Sequence, residues 1–502
     1  MMTKNRLCIL IFVCLLFACE DEDALKPNAF DEGVQINMRC PEALPNTGDD
    51  VCGLYEVPLN WLAEDRTKIN VFLRAFLRKQ SNLANGISKG QLWLIDGGPG
   101  ASGATFSDPA FVKLVHDFGW DLYIPSHRGV GFSSHLHCSL SHQAMDEQYV
   151  NVCSDEIHEK YGMDVNWYSA VGAAYDLNYL IEHNNPNNLP VVVMGTSYGS
   201  FLTQRFIQLF ESTIDAAILL SGTNLRPAFE NVSMHEEETF KRLLELCDLQ
   251  VDCRNMFDNN TELSAYEAAR SLVLENGWQQ CAISDAGAHT VSHLLRALAS
   301  SSRFREQLPL AIKRLSRCDA NDIEALRSLQ QSLRIELQRQ QAQLFQFNPL
   351  MTHHQIFIEL LSPEVDIPMP FNLPTDSLLG NSVKPYVDNR HAWLSRSSPI
   401  ELPSTLSSTL PILAIHGGLD MQASVTWFED LSAQLRHENQ TAVLFPYAGH
   451  GTPNYTNIED ETNTEVAENC TWLIINRFLQ NVSGKVDIGC VGRVKKFTFD
   501  TE

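Results

Sequence analysis

At 502 residues and 44% hydrophobic content, the chain can bury a substantial core and is longer than one typical domain requires. Its 61 acidic residues against 37 basic ones give a formal net charge of −24, which argues against a nucleic-acid partner and against binding of anionic lipid headgroups. The same excess suits cationic or free-amine substrates.

The chain opens with Lys4 and Arg6 followed by the apolar run Leu7 to Phe17, the charged start and short core of a secretory signal over residues 1–18. Such a run is too short for a resident membrane helix. Leu16-Phe17-Ala18-Cys19 resembles a bacterial lipobox, which would put a lipid on Cys19 and make residues 19–39 a solvated acidic tether. The expected location is therefore a cell envelope facing the periplasm, with this N-terminal anchor as the sole membrane contact. Phe17 is unusual in its slot, so ordinary cleavage or an uncleaved anchor is the alternative.

Ile69 to Leu77 alternates with period two and predicts an early antiparallel strand. Leu92-Trp93-Leu94-Ile95 predicts a buried strand that runs into Asp96-Gly97-Gly98-Pro99-Gly100, a loop whose backbone N–H groups can face a cavity. A strand from Trp120 to Pro125 and a helix from about Asn166 to Glu182 follow. Val191-Val192-Val193-Met194-Gly195-Thr196-Ser197-Tyr198-Gly199 then reads as a strand breaking sharply into a helix, with a serine at the break. Small residues at 195 and 199 are what such a turn demands, since a Cβ at either would strike a neighbouring strand or helix. The helix is expected to run from Tyr198 to Phe210, and Ile214 to Leu220 is the next strand. Short apolar strands alternating with helices predict an α/β fold with a doubly wound, mostly parallel sheet.

After Gly222 strand signals cease. Residues 223–394 carry helical stretches at 236–246, 265–274 and 325–346, and predict a helical cap inserted between a first core part, 40–222, and a second, 395–502. Leu326, Leu329, Leu333, Leu337 and Leu344 recur at helical spacing, an amphipathic helix packing on its neighbours. His353-His354 is expected at the surface. In the second core part, the strand Leu410 to His416 ends at Gly417-Gly418-Leu419-Asp420, and Ala442 to Phe445 leads to Gly449-His450-Gly451.

Ser197, Asp420 and His450 thus stand in the chain order of one class of serine hydrolase. A serine hydroxyl is a poor nucleophile until a histidine takes its proton, and the histidine needs a carboxylate to fix its tautomer. The oxyanion donors expected are the N–H groups of Tyr198 and Gly98, with Gly97 as the alternative.

Those motifs, together with His127-Arg128-Gly129-Val130-Gly131-Phe132-Ser133-Ser134, resemble the α/β-hydrolase serine peptidases that include prolyl iminopeptidase and the secreted bacterial tripeptidyl aminopeptidases. The resemblance spans roughly 40–222 and 395–490. It departs from the family at Asp96, where histidine or glutamine is usual, and at Ser126, where many members have aspartate. It implies cleavage of peptides from a free amino terminus through an acyl-enzyme, with no metal or organic cofactor. It also implies carboxylates in the cap that bind the substrate's amine, for which Glu230, Glu236, Glu237 and Glu238 are candidates. An esterase or lipase-like hydrolase of the same fold is the alternative, and a non-catalytic peptide-binding envelope lipoprotein a third reading.

Removing Cys8, Cys14 and Cys19 leaves ten of 13 cysteines, an even number suited to disulfides in an oxidising compartment. Proximity suggests Cys40–Cys52, Cys138–Cys153, Cys247–Cys253, Cys281–Cys318 and Cys470–Cys490, and the family resemblance favours the last pair. Spacing alone leaves other connectivities open. No Cys-x-x-Cys is present and the cysteines are scattered, a poor pattern for a metal site. Oligomeric state has no signal in the sequence.

Overall fold

A computed structural model describes residues 35–44, 50–64, 67–78, 88–140, 145–257, 264–275, 281, 288–343, 347–362, 377–395, 397–459 and 469–501. The signal, Cys19 and most of the tether lie outside them. Among the described residues no helix is long and apolar enough to cross a membrane.

Among the described residues nine strands form one sheet: β1 (Gln35–Met38), β2 (Asp50–Pro58), β3 (Lys68–Phe76), β4 (Gln91–Ile95), β5 (Asp121–Ser126), β6 (Val191–Thr196), β7 (Ala216–Leu220), β8 (Ile412–Gly417) and β9 (Gln440–Phe445). Their order is β1-β2-β3-β5-β4-β6-β7-β8-β9. The first three and the β3–β5 pair are antiparallel, and β5-β4-β6-β7-β8-β9 are parallel. Helices cover both faces of the parallel part, so β4, β7 and β8 are buried along their whole length, the burial that their continuous apolar runs require.

Four helices precede the helical segment: α1 (Pro109–Phe118), α2 (Glu147–Tyr161), α3 (Ala170–Asn184) and α4 (Tyr198–Phe210). The first begins at Asp108, whose carboxylate accepts from the N–H groups of Ala110 and Phe111, and ends at Gly119 in the left-handed region. The third is capped by Ser169. On one face Leu177, Phe206 and Val193 pack together, and on the other Val112, Val115, Ile474 and Phe478 do.

Between β7 and β8 the described elements are all helical: α5 (Val232–Leu249), α6 (Val251–Asn255), α7 (Ala265–Leu274), α8 (Ala288–Ser300), α9 (Leu308–Arg317), α10 (Ala320–Gln343), α11 (Pro349–Gln355), a π-helical turn (Ile356–Leu360) and α12 (Lys384–Asn389). This segment divides its packing. Its first part builds a core of its own from residues such as Phe240, Leu295, Leu308 and Leu326, and takes in Leu419, Met421 and Phe499 from outside the segment. Its second part, through Met351, Phe357, Tyr386 and Trp393, joins the core on the sheet. Leu326, Leu329 and Leu333 are the buried face of α10; Leu344 lies outside the described residues.

His353 and His354 are not at the surface as their sequence context suggested. Both are buried in α11, where His353 Nδ1 meets the Tyr386 hydroxyl at 2.9 Å and His354 Nε2 meets the Val165 carbonyl at 3.0 Å. Burial pushes the two imidazoles down to about 3 and about 4, which keeps both neutral.

After β8 come α13 (Val425–Gln434) and, beyond β9, α14 (Cys470–Gln480). The tail then crosses to the helical segment: Gln250 brackets Phe497 and Phe499 through their main chain, and Asp500 N–H donates to the Glu306 carbonyl at 2.9 Å. Five disulfides join Cys40 to Cys52, Cys138 to Cys153, Cys247 to Cys253, Cys281 to Cys318 and Cys470 to Cys490. The acidic neighbour of the first pair, Asp50, grips Arg74 at 2.5 Å.

The loop after β5 is held by a buried ion pair. Arg128 meets Asp176 of α3 through Nε at 2.7 Å and Nη2 at 2.6 Å, and donates further to the carbonyls of Leu59, Trp167 and Pro58. Trp61 Nε1 completes the carboxylate shell at 2.9 Å. Asp176→Ala would strand an unpaired guanidinium in the core, and denaturant unfolding is expected to show a loss of about 3–5 kcal/mol. A loss below about 1 kcal/mol would show the pair to be dispensable.

Candidate active site

The serine break is as sharp as the sequence implied. Ser197 takes φ 55° and ψ −123°, a strained conformation for a residue with a side chain, between the end of β6 and the start of α4. A Cβ on Gly195 would run into the Gly199 carbonyl, and one on Gly199 into the Ile95 carbonyl, so strand and helix can approach this closely only with glycine at both positions. Ser197 N–H donates to the Leu220 carbonyl at 2.9 Å, which fixes the turn to the end of β7. Its side chain is half-exposed.

The loop after β4 lies against the turn, with Gly97 next to the Ser197 Cβ and the Tyr198 nitrogen. Asp96 orders it: one carboxylate oxygen accepts from Gly97 N–H at 2.7 Å and the other from Gly103 N–H at 3.2 Å. Gly97 is thereby committed to Asp96, and of the two glycine N–H groups weighed as oxyanion donors Gly98 is the one left available. Tyr198 N–H is the first of the helix, where the backbone carries partial positive charge. Ser126, the second departure from the family pattern, donates its hydroxyl to the Ser102 carbonyl at 3.1 Å and so ties the end of β5 to this same loop.

Asp420 and His450 meet at the carboxyl ends of β8 and β9. His450 Nδ1 lies 2.8 Å from Asp420 Oδ2 and 3.1 Å from Oδ1. Asp420 is buried, and its Oδ1 also accepts from Gln422 and Ala423 N–H at 2.8 and 2.9 Å. Burial raises its carboxyl, but the charge and hydrogen bond of His450, with His416 and Ala423, outweigh that and hold it below the usual range. For His450 burial favours the neutral ring, while Asp420 favours the imidazolium more strongly, and the net shift is upward. With Nδ1–H directed at Asp420, Nε2 is the nitrogen free to take a proton. No hydrogen bond joins His450 to Ser197 among the described residues; Ser221, held at φ 49°, links their surroundings by accepting from Gly451 N–H at 3.2 Å. His416 stacks on Phe428 with ring centroids 5.0 Å apart and contacts the Ala423 carbonyl at 3.2 Å, backing the Asp420 turn.

The cap glutamates singled out as amine ligands have other work. Glu236 is buried against Arg296 at 3.1 Å and Ser382 at 3.2 Å. Glu237 accepts from Ser377 Oγ and the N–H groups of Leu378 and Leu379, and Glu230 from Ser362 N–H. Glu238 is exposed beside Arg242. The first three stabilise loops of the helical segment itself, a role set by tertiary contacts that a run of glutamates does not reveal.

A different carboxylate reaches the elbow. Glu359, on the π-helical turn, accepts from the Tyr198 hydroxyl at 2.7 Å and from Ala170 N–H at 2.9 Å, at the start of α3. It is half-buried, and burial pushes its carboxyl up to about 7 against the opposing pull of Tyr198, the α3 N–H groups and Arg205. Sequence reasoning missed it because Ile356-Phe357-Ile358-Glu359 reads as an apolar stretch with one charge; a π turn, which alters which side chains share a face, has no sequence signal here.

A family model describing the alpha/beta hydrolase fold matches residues 92–450, most of the chain. No curated protein matches the sequence. Among solved structures, the chain is similar to a proline iminopeptidase of Mycobacterium smegmatis at 11% identity, covering 85% of this chain and 97% of that one with a TM-score of 0.38. It is similar to an esterase from Exiguobacterium antarcticum at 13% identity, covering 76% and 89% with a TM-score of 0.30, and to a thermophilic esterase from Thermogutta terrifontis at 13% identity, covering 80% and 93% with a TM-score of 0.32. The matched range runs from β4 through the Ser197 turn and Asp420 to His450, and the chain belongs to the alpha/beta hydrolase fold family.

Proposed function

We propose that this protein is an exported serine peptidase that cleaves peptides from a free amino terminus. The observation that carries the hydrolytic part is the Asp420–His450 pair, 2.8 Å apart, at the same sheet edge as the strained Ser197. In this reading Ser197 attacks the scissile carbonyl as His450 Nε2 takes its proton, and the N–H groups of Tyr198 and Gly98 hold the developing oxyanion. His450 then protonates the leaving amine, and water, deprotonated by the same imidazole, releases the acyl group. Asp420 holds the ring in the tautomer that each step needs.

The choice of a free-amine peptide over a simple ester is supported by the family resemblance, the acidic charge and the position of Glu359. Glu359 has internal partners, as the other glutamates do, but of these carboxylates it is the one bonded to the residue that follows Ser197, where its charge can favour a substrate ammonium that a neutral ester would not present. Export, with a lipid on Cys19, belongs to the same proposal and is supported by the pairing of ten cysteines.

Ser197→Ala is expected to lower kcat on aminoacyl or tripeptidyl arylamides by about 10^6-fold and to abolish fluorophosphonate labelling. Full hydrolysis by that variant would sink the reading. The pH profile offers a second check. Only the neutral imidazole can accept a proton, and Asp420 raises the His450 pKa, so the acidic limb of kcat/KM is expected above histidine's ordinary value of about 6.5. Asp420→Asn removes that pull; the limb should move down and kcat should fall by about 10^4-fold. For Glu359, the comparison is a free-amine peptide with its N-acetylated twin. Glu359→Gln keeps an acceptor for Tyr198 but loses the charge, and should cost about 10- to 100-fold in kcat/KM on the free amine alone. Equal losses on both substrates would remove Glu359 from amine recognition.

A further inference from the structure

Outside the residues assigned above, one buried charge touches both loops that carry the acid and the base. Arg305 opens the short helical turn Arg305–Gln307 between α8 and α9 and is 1% exposed. Its neighbours Phe304 and Leu308 are buried in the core of the helical segment, which fixes its main chain there. The guanidinium leaves that core. Nε donates to the Ala299 carbonyl at 2.9 Å, Nη2 to the Leu419 carbonyl at 3.1 Å and Nη1 to the Tyr447 carbonyl at 3.4 Å, and the plane lies 4.6 Å from the Tyr455 ring centroid. Leu419 immediately precedes Asp420; Tyr447 and Tyr455 flank His450. All three hydrogen bonds end on main-chain carbonyls, so the group is held as a fork rather than as a partner for one carboxylate.

The contact is tight on the histidine side. A Cβ on Gly449, the residue before His450, would overlap Arg305 Nη2. The apolar contacts run the same way, since Leu419 and Met421, on either side of Asp420, are buried in the helical segment's core with Leu308 and Phe304. Arg242 of α5 adds a bond to the Gly418 carbonyl at 3.3 Å.

We infer that Arg305 is a positioning residue for the Asp420–His450 pair, and that seating of the helical segment and alignment of this pair are a single event. The inference rests on reading Ser197, Asp420 and His450 as the reacting triad. Arg305 touches no reacting atom. It sets the spacing of two loops whose misplacement by a fraction of an ångström takes His450 Nε2 off the line to the serine.

Gly449→Ala and Arg305→Ala attack the same contact from opposite sides, and the double variant tests whether they do. In the full chain each single change should lower kcat on an arylamide substrate by about 10- to 100-fold while KM moves less than about threefold. Arg305→Ala/Gly449→Ala should be no worse than either single variant, because the alanine methyl then fills space that the guanidinium has left. Arg305→Lys should recover little, since an ammonium cannot span two carbonyls. Should Arg305→Ala fold poorly, Gly449→Ala decides: a loss of kcat with an unchanged unfolding temperature supports the role, and an unchanged kcat overturns it. Multiplying effects in the double variant, or wild-type kcat in Arg305→Ala, also overturn it. A wild-type enzyme whose Ser197 takes no fluorophosphonate would instead defeat the triad reading, which keeps the two failures apart.

Discussion

The site depends on the chain reversing within one residue at Ser197. A strand buried on both faces cannot turn into a helix there unless the residues two before and two after lack a Cβ, because β6 and α4 close onto one another and onto the end of β4. That closeness brings the β4 loop against Ser197 and sets Gly97 beside Tyr198 N–H. It also places the N-terminus of α4, with its partial positive charge, beside Ser197. The strain at φ 55° is borne by the ladders on either side, since β6 is paired in parallel with both β4 and β7.

The helical segment is more than a cover over this edge, because each of its parts holds loops of the proposed site. From the second part, Asn348 N–H donates to the Gly100 carbonyl at 3.1 Å, Thr352 Oγ1 to the Pro99 carbonyl at 2.5 Å, and Glu359 takes the Tyr198 hydroxyl. These contacts fall next to Gly98 and on the Tyr198 side chain, the two residues proposed as oxyanion donors. From the first part, Arg305, Arg242 and the core around Leu419 and Met421 hold the loops that carry Asp420 and His450. The two parts pack largely in different apolar clusters and are joined where Leu378 and Leu379 enter the first part's core, their N–H groups donating to Glu237 and the nearby Ser382 hydroxyl to Glu236.

Much of the sheet could be read from the sequence because parallel strands buried on both faces must be continuously apolar. The strand reading at 91–95 matches β4, and the strands ending at Asp420 and leading to His450 are β8 and β9. The antiparallel edge is legible only in part: β3 roughly alternates in sequence although it is buried on both faces from Val71 to Phe76, whereas Asp50-Val51-Cys52-Gly53 of β2 mixes charge, glycine and cysteine and gives no clear period. Ser197, Asp420 and His450 stand out in the sequence as candidates because each follows an apolar strand, and the structure brings Asp420 and His450 together. The supporting residues do not stand out. Arg305 and Glu359 act across separations of 114 and 161 residues, and nothing local distinguishes them from other charges in a helical segment. The glutamates at 236 and 237 show the converse, since a charge cluster with a plausible local reason turned out to have internal partners.

Electrostatics then separates the roles of the buried charges. Arg128 and Asp176 neutralise each other in a complete hydrogen-bond shell, leaving no capacity for chemistry. Asp420 is also buried, but its strongest partner is a histidine, a group that can change charge near neutral pH, and two backbone N–H groups keep the carboxylate ionised when that histidine is neutral. A fixed cation in place of His450 would make the same contact and do nothing. The imidazole's two nitrogens are not equivalent, since Nδ1 is tied to Asp420 and Nε2 is the one left to take a proton in the proposed reaction. Arg305 extends this logic one layer outward, as a permanent charge bound only to carbonyls that can hold the loops without competing for the proton.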